Sequence, residues 1–128
     1  MKFRPMILAA VLVTLGALHA FAAERLTYEP KAFAAVLAEG KPILVHVTAP
    51  WCLECRAQKP IVAALAAEPE FKNLTIFDVD FDTQKAALRQ LRVQTQSTLI
   101  VFKDKAEVGR AVGITKRDAI EAVMKKAL

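Results

Sequence analysis

Cysteine and histidine are scarce in this chain of 128 residues, which contains two of each. His19 lies in an apolar N-terminal segment, so His46 is the only histidine in the rest of the chain. A structural zinc ion needs four ligands, usually from Cys and His. Cys52, Cys55 and His46 are too few for a zinc site within one chain. A metal ion or cluster shared between two chains stays an alternative.

Several other features are missing from the sequence. Its basic residues are scattered and are not interleaved with aromatic ones, so nothing indicates binding of nucleic acid. There are no internal repeats and no low-complexity segments. A nucleophile elbow is absent too, and no second histidine is available after the N-terminal segment, which excludes Ser/His/Asp hydrolysis.

Residues 1–22 have the pattern of a secretory signal peptide. Lys2 and Arg4 precede an apolar run of about a dozen residues, and the small-x-small site Ala20–Ala22 follows. The run is shorter than the roughly 20 residues that a membrane-spanning helix needs. We expect cleavage after Ala22 and a periplasmic protein, with an uncleaved membrane anchor as the alternative. Residues 23–128 are then one domain.

Apolar patterning predicts alternating helices and strands in that domain. Helix-forming residues run from Pro30 to Glu39 and end at Gly40. The short apolar runs Ile43–Val47 and Leu74–Val79 are typical of strands buried on both faces. The segment Arg56–Ala67 between these two strands is predicted to be helical.

The second half of the domain continues this alternation. We expect a helix that Thr83 caps and that runs to about Leu91. A hairpin follows, formed by Thr98–Phe102 and Glu107–Val112, and a capping box at Thr115–Asp118 begins the last helix. The order α, β, α, β, α, β, β, α predicts an α/β fold with a mixed central sheet and helices on both faces.

Both cysteines lie in Ala49–Pro60, "APWCLECRAQKP", between a predicted strand and a predicted helix. A disulfide between Cys52 and Cys55 closes a minimal loop and contributes little stability, so the spacing favours reversible chemistry. At a helix N-terminus, free N–H groups and the helix dipole stabilise a Cys52 thiolate. Cys55, one turn later, is close enough to resolve a mixed disulfide.

The sequence "WCLEC" after a buried strand, Pro60 beyond it, and "STLIVFK" before a hairpin resemble the thioredoxin family. The resemblance covers essentially all of residues 23–128 and implies a thioredoxin-like fold and a thiol–disulfide oxidoreductase. It implies that Cys52 attacks, that Cys55 resolves, and that Trp51 flanks the site as a substrate contact. We expect no cofactor other than the redox-active Cys52–Cys55 disulfide, and the small number of possible ligands argues against a resident metal.

The chain departs from the family between the two cysteines. The family usually has Gly-Pro there, whereas this chain has Leu53-Glu54. A carboxylate in the first helical turn opposes the Cys52 thiolate and so makes the couple more reducing. The alternative is that Glu54 is a solvated residue that favours the helix N-terminus.

A second departure concerns the strand before the motif. His46 stands where the family commonly has a buried Asp, and Asp78 stands where it tends to have a Lys. An imidazole titrates near neutrality, so His46 could carry the proton of Cys55 while Asp78 orients the ring. The alternative is an ordinary core histidine.

A third departure is at Gln96-Ser97, where the family has a cis-proline at the second position. A cis bond without proline costs roughly 2.5–4 kcal/mol, so we expect a trans bond or local strain. By resemblance, Gln96 and Ser97 are substrate contacts beside the sulfurs. The alternative is that Ser97 is an ordinary loop serine.

The N-terminal segment and the dithiol together predict a monomeric periplasmic protein that reduces the disulfides of proteins or peptides. The resemblance indicates a membrane thiol transporter of the DsbD or CcdA kind as electron donor. Strong oxidants of the family typically have an inserted helical domain and a histidine between the cysteines, and this chain has neither. A thiol oxidant or isomerase remains the first alternative. A chaperone-type module with the same fold is another.

Overall fold

The structure is a computed structural model that describes residues 22–128. The predicted signal peptide lies outside the described residues except for Ala22, so it stays a prediction. Within residues 22–128, no helix has both the length and the apolar character needed to cross a membrane.

Residues 22–128 contain five strands and four α-helices. The strands are β1 (Glu24–Thr27), β2 (Ile43–Thr48), β3 (Thr75–Asp80), β4 (Thr98–Lys103) and β5 (Ala106–Val112). The helices are α1 (Pro30–Ala38), α2 (Leu53–Ala66), α3 (Lys85–Leu91) and α4 (Arg117–Lys125), and a short 3₁₀ turn at Pro69–Phe71 follows α2.

The strands form one mixed sheet in the order β1-β3-β2-β4-β5. The pairs β1–β3 and β3–β2 are parallel, whereas β2–β4 and β4–β5 are antiparallel. Because β4 is antiparallel to β2, the start of β4 lies at the carboxyl end of β2. Thr98 is thus the register partner of Val47, just before the loop that leads to Cys52.

Strand β2 separates two apolar cores because its side chains alternate between the faces of the sheet. Ile43, Val45 and Val47 pack in the core that α1 and α3 cover. Leu44 belongs to the core that α2 and α4 cover, and alternation puts His46 on that same face. The predicted mixed sheet with helices on both faces is therefore confirmed.

The structure corrects three local predictions. Strand β1, which has four mostly exposed residues, was not predicted from the sequence. Gln84 is the N-cap of α3, so the predicted cap at Thr83 is wrong. The capping box at Thr115 is also wrong, because α4 begins after Lys116 without a side-chain cap.

The type of the hairpin turn between β4 and β5 can be assigned from its backbone angles. Asp104 and Lys105 have φ angles of 50° and 72°, both in the left-handed region. Two consecutive residues with positive φ are typical of the type I′ turn, whose twist matches the two flanking strands. The predicted turn at Asp104-Lys105 is thus confirmed.

Candidate active site

The two cysteines lie where β2 turns into α2. Cys52 is the N-cap of α2, and its Sγ accepts a hydrogen bond of 3.1 Å from the backbone N–H of Cys55. The two residues form a disulfide with their Cα atoms 5.3 Å apart. Both are almost completely buried, Cys52 at 2% and Cys55 at 0% exposure. The helix N-terminus thus provides a backbone donor to the sulfur of Cys52, as the sequence predicts.

Exposed apolar side chains adjoin this disulfide. Trp51 is 56% exposed and Leu53 is 72% exposed. The indole Nε1–H of Trp51 donates to both carboxylate oxygens of Asp82, at 3.0 and 3.1 Å, and its ring makes a T-shaped contact with Phe81. The disulfide is therefore framed by an apolar surface that is open to a partner.

Asp82 is a site residue that the sequence analysis did not single out. It follows the carboxyl end of β3, next to β2 in the sheet. Parallel strands end at the same edge, and that edge is where α/β proteins place functional side chains. Its position after β3 is the signal that could have identified it.

Glu54 lies beside the first cysteine. Its Oε2 is 3.8 Å from the Sγ of Cys52, and the residue is in the first turn of α2. In the reduced protein, a carboxylate at this distance opposes the negative charge of a Cys52 thiolate. The structure thus provides the proximity on which the predicted effect of Glu54 depends.

His46 is fully buried, and both of its ring nitrogens have partners. Nδ1 lies 3.5 Å from Nη2 of Arg25, and Nε2 lies 3.0 Å from Oε1 of Gln58. A guanidinium can only donate, so Nδ1 is the acceptor and Nε2 carries the hydrogen. The ring is therefore the neutral Nε2–H tautomer.

Burial is the main reason why the pKa of His46 falls to about 4. The positive charges of Arg25 and Lys59 lower this pKa further, while the hydrogen bond to Gln58 and the charge of Asp78 oppose the shift. At neutral pH the ring is uncharged and is a weaker base than a free imidazole. Proton transfer between His46 and Cys55 stays a prediction.

The predicted direct pairing of His46 with Asp78 is corrected by the structure. The two residues are register partners on β2 and β3. The carboxylate of Asp78, however, accepts two hydrogen bonds from Arg25, at 2.6 and 2.7 Å. Arg25 comes from β1, the strand that the sequence analysis missed. Asp78 therefore acts on the histidine through a guanidinium rather than by direct contact.

Ser97 begins the segment that leads into β4. The Gln96–Ser97 bond is trans, and Ser97 is buried with a φ of 55°. A residue with a Cβ atom pays a steric cost in this left-handed region, so other contacts must hold it there. Gln96 is half-buried, and its side-chain oxygen accepts a hydrogen bond of 2.9 Å from the hydroxyl of Thr95.

These features define a class of protein. A strand of a mixed sheet leads to a Cys-x-x-Cys disulfide at a helix N-terminus, with an exposed aromatic residue next to it. This arrangement allows a reversible exchange between a disulfide and two thiols. The chain is accordingly a thiol–disulfide oxidoreductase on a thioredoxin-like fold.

The family model of thioredoxin matches residues 24–126, and the chain belongs to the thioredoxin family. It is 37% identical over 94 residues to a thioredoxin of Chlamydia trachomatis, which covers 73% of this chain and 89% of the relative. It is 38% identical over 95 residues to a thioredoxin of Mycolicibacterium smegmatis, with 73% and 84% covered.

Solved structures agree with this assignment. The structure of Trxlp from Edwardsiella tarda EIB202 is 42% identical and has a TM-score of 0.77, covering 79% of this chain and 98% of that one. Thioredoxin O2 of Arabidopsis thaliana in the oxidised state is 25% identical, with a TM-score of 0.67 and 82% and 93% covered. The predicted family and fold are confirmed.

Proposed function

We propose that the protein reduces disulfides of exported proteins in the bacterial periplasm. The observation that carries the proposal is the Cys52–Cys55 disulfide at the N-terminus of α2, flanked by the exposed side chains of Trp51 and Leu53. An exposed apolar surface beside the sulfurs suits a folded or extended polypeptide as substrate. The pattern of residues 1–22 supports export.

The reaction transfers two electrons from the dithiol to the substrate. The Cys52 thiolate attacks one sulfur of a substrate disulfide, a mixed disulfide forms, and the other substrate sulfur leaves as a thiolate. The Cys55 thiolate then attacks the sulfur of Cys52. This step releases the second substrate thiol and leaves Cys52 and Cys55 as the disulfide.

Continued reduction needs an electron source, because the protein ends each cycle oxidised. A membrane thiol transporter of the DsbD or CcdA kind is the donor that we propose. Its dithiol would exchange with the Cys52–Cys55 disulfide by the same two steps in reverse. A thiol oxidant or isomerase is the second candidate, since the dithiol chemistry runs in both directions.

The reduction potential of the Cys52–Cys55 couple distinguishes the two directions. We expect a value well below about −200 mV, in the range of reductants, after equilibration with glutathione or dithiothreitol. A value near about −120 mV would be that of a strong oxidant and would contradict the proposal. The double variant Cys52→Ser/Cys55→Ser cannot form the disulfide, so it is the control for the signal that measures the oxidised fraction.

Glu54 is expected to make this couple more reducing. Replacing Glu54 with Gln removes a carboxylate that lies 3.8 Å from Sγ of Cys52, so the thiolate and the reduced form become more stable. Because Glu54 is solvent-exposed, screening limits the effect, and we expect the potential to rise by about 10–20 mV.

Glu29→Gln is the matched control for this measurement. Glu29 is exposed and is the N-cap of α1, with no side-chain cap hydrogen bond. The same loss of charge at another helix N-terminus should leave the potential unchanged. An unchanged potential in Glu54→Gln would mean that Glu54 is only a solvated helix residue.

A further inference from the structure

Gln58 is a fully buried polar residue on α2, three residues after Cys55. Its Oε1 lies 3.0 Å from Nε2 of His46. Its Nε2 donates to the backbone carbonyl oxygens of Ser97, at 3.1 Å, and of Ile114, at 2.9 Å. One amide thus joins β2, the segment before β4 and the segment before α4. Buried amides with every group bonded hold their surroundings in one arrangement.

The hydrogen bonds of Gln58 can form in only one orientation of its amide. His46 is the Nε2–H tautomer because Arg25 approaches its other nitrogen. The histidine therefore presents a donor to Gln58 and requires the amide oxygen on that side. The NH₂ group must then point toward the two carbonyl oxygens. His46 and Arg25 in this way determine which group of Gln58 meets Ser97.

The backbone of Ser97 needs support from other contacts. Its φ of 55° is disfavoured for a residue with a side chain, and no proline ring restrains it. Its carbonyl oxygen accepts from two donors, the side chain of Gln58 and the backbone N–H of Gly113 at 3.0 Å. Both contacts hold this carbonyl inside the protein.

The segment that Gln58 holds lies at the same edge of the sheet as the loop that carries Cys52. Residue 98 pairs with Val47 of β2, and β2 continues into the loop that carries Cys52. Gln58 and Cys55 lie on one face of α2, one helical turn apart. Residues 96 and 97 thus lie at the edge of the sheet that a polypeptide approaches when its disulfide reaches Cys52.

We propose that Gln58 is a positioning residue for polypeptide substrates. Its amide holds the carbonyl of Ser97, and the backbone of residues 96–98 is thereby kept in the conformation that an extended substrate segment meets beside Cys52. A small disulfide reacts at Cys52 without contacting this segment. Replacing Gln58 should thus lower the rate of reaction with polypeptide disulfides but not with small disulfides. The inference rests on the proposed function in taking polypeptides as substrates.

The test compares Gln58→Met with wild type. Methionine has a similar length but cannot form the three hydrogen bonds. We expect the rate constant of the reduced variant with insulin to fall about tenfold, which corresponds to the loss of one or two neutral hydrogen bonds. The rate constant with 5,5′-dithiobis(2-nitrobenzoic acid) should stay within about twofold, because the loss of a positioning contact leaves the Cys52 thiolate itself intact.

Gln90→Met is the matched control. The side-chain oxygen of Gln90 accepts a hydrogen bond from the hydroxyl of Tyr28 in the core on the other face of the sheet. The same replacement there should leave both rate constants unchanged. Equal losses with insulin and with the small disulfide in Gln58→Met would overturn the proposal.

Amide hydrogen exchange of Gly113 provides a readout that does not depend on activity. Its N–H donates to the same Ser97 carbonyl that Gln58 holds. We expect its exchange to be about tenfold faster in Gln58→Met, and unchanged exchange would overturn the proposal.

Gln58→Asn, which keeps the amide but shortens its reach, replaces Gln58→Met if that variant does not fold, with the same outcomes expected. Failure of wild type to reduce insulin would refute the proposed substrate class, while Gly113 exchange would still test the role of Gln58.

Discussion

Replacing Cys52 with serine is expected to reduce the rate of insulin reduction by at least about a thousandfold, to the uncatalysed background. The Sγ of Cys52 accepts a hydrogen bond from the backbone N–H of Cys55 at the N-terminus of α2. Its neighbours in the sequence, Trp51 and Leu53, both have exposed side chains. Cys55 is fully buried on the inner face of the helix. A serine hydroxyl at position 52 is too weak a nucleophile to replace the thiolate.

Cys55→Ser is the partner variant for the same experiment. It should still attack a substrate disulfide through Cys52 but should be unable to release the product, so a mixed disulfide accumulates. Non-reducing electrophoresis and mass spectrometry detect this mixed disulfide, and dithiothreitol should reduce it. The chain contains only two cysteines, so any adduct of this variant is at position 52. Accumulation in Cys52→Ser instead would mean that the two roles are exchanged.

Acidification is expected to destabilise the protein through His46. Its pKa is about 4 in the folded protein, against about 6.5 in the unfolded chain. Below pH 6.5 the unfolded chain therefore binds a proton that the folded protein does not. The stability that this difference contributes is complete above pH 6.5 and is lost progressively down to about pH 4. We expect a loss of about 2 kcal/mol between pH 7 and pH 5.

Urea unfolding at several pH values measures this effect. His46 is the only histidine among residues 22–128, so no other imidazole among them contributes to the slope between pH 5 and pH 7. His46→Asn removes the titrating ring, so its free energy of unfolding should be nearly constant across this interval. A slope in His46→Asn equal to that of wild type would contradict the assignment.

The position of the dithiol could be predicted because its signals are local. A short β-branched run, two cysteines and a helix-forming segment follow each other directly from Ile43 to Ala66. Strand β1 gave no such signal. It has four residues, of which only Leu26 is apolar, and it is mostly exposed. Missing β1 also meant missing Arg25, which separates His46 from Asp78.

Gln58 was missed for a different reason. In the sequence it lies among Arg56, Ala57 and Lys59, which are all exposed, and it resembles one more polar residue of a helix surface. Its helical spacing of three residues from Cys55 and four from Val62 puts it on the buried face of α2. That spacing is a usable signal, but it does not say which carbonyl oxygens the amide will meet.

The amino-acid sequence alone determined the α/β architecture, the redox dithiol and its place before a helix, because hydrophobic periodicity and residue spacing act over a few neighbouring residues. Tertiary structure decided the state of His46 and the conformation of Ser97. Their partners, Arg25 and Gln58, lie 21 and 39 residues away in the chain. Burial and long-range hydrogen bonds arise only when these segments pack together, and they shift a pKa or hold a strained backbone in ways that no local pattern encodes.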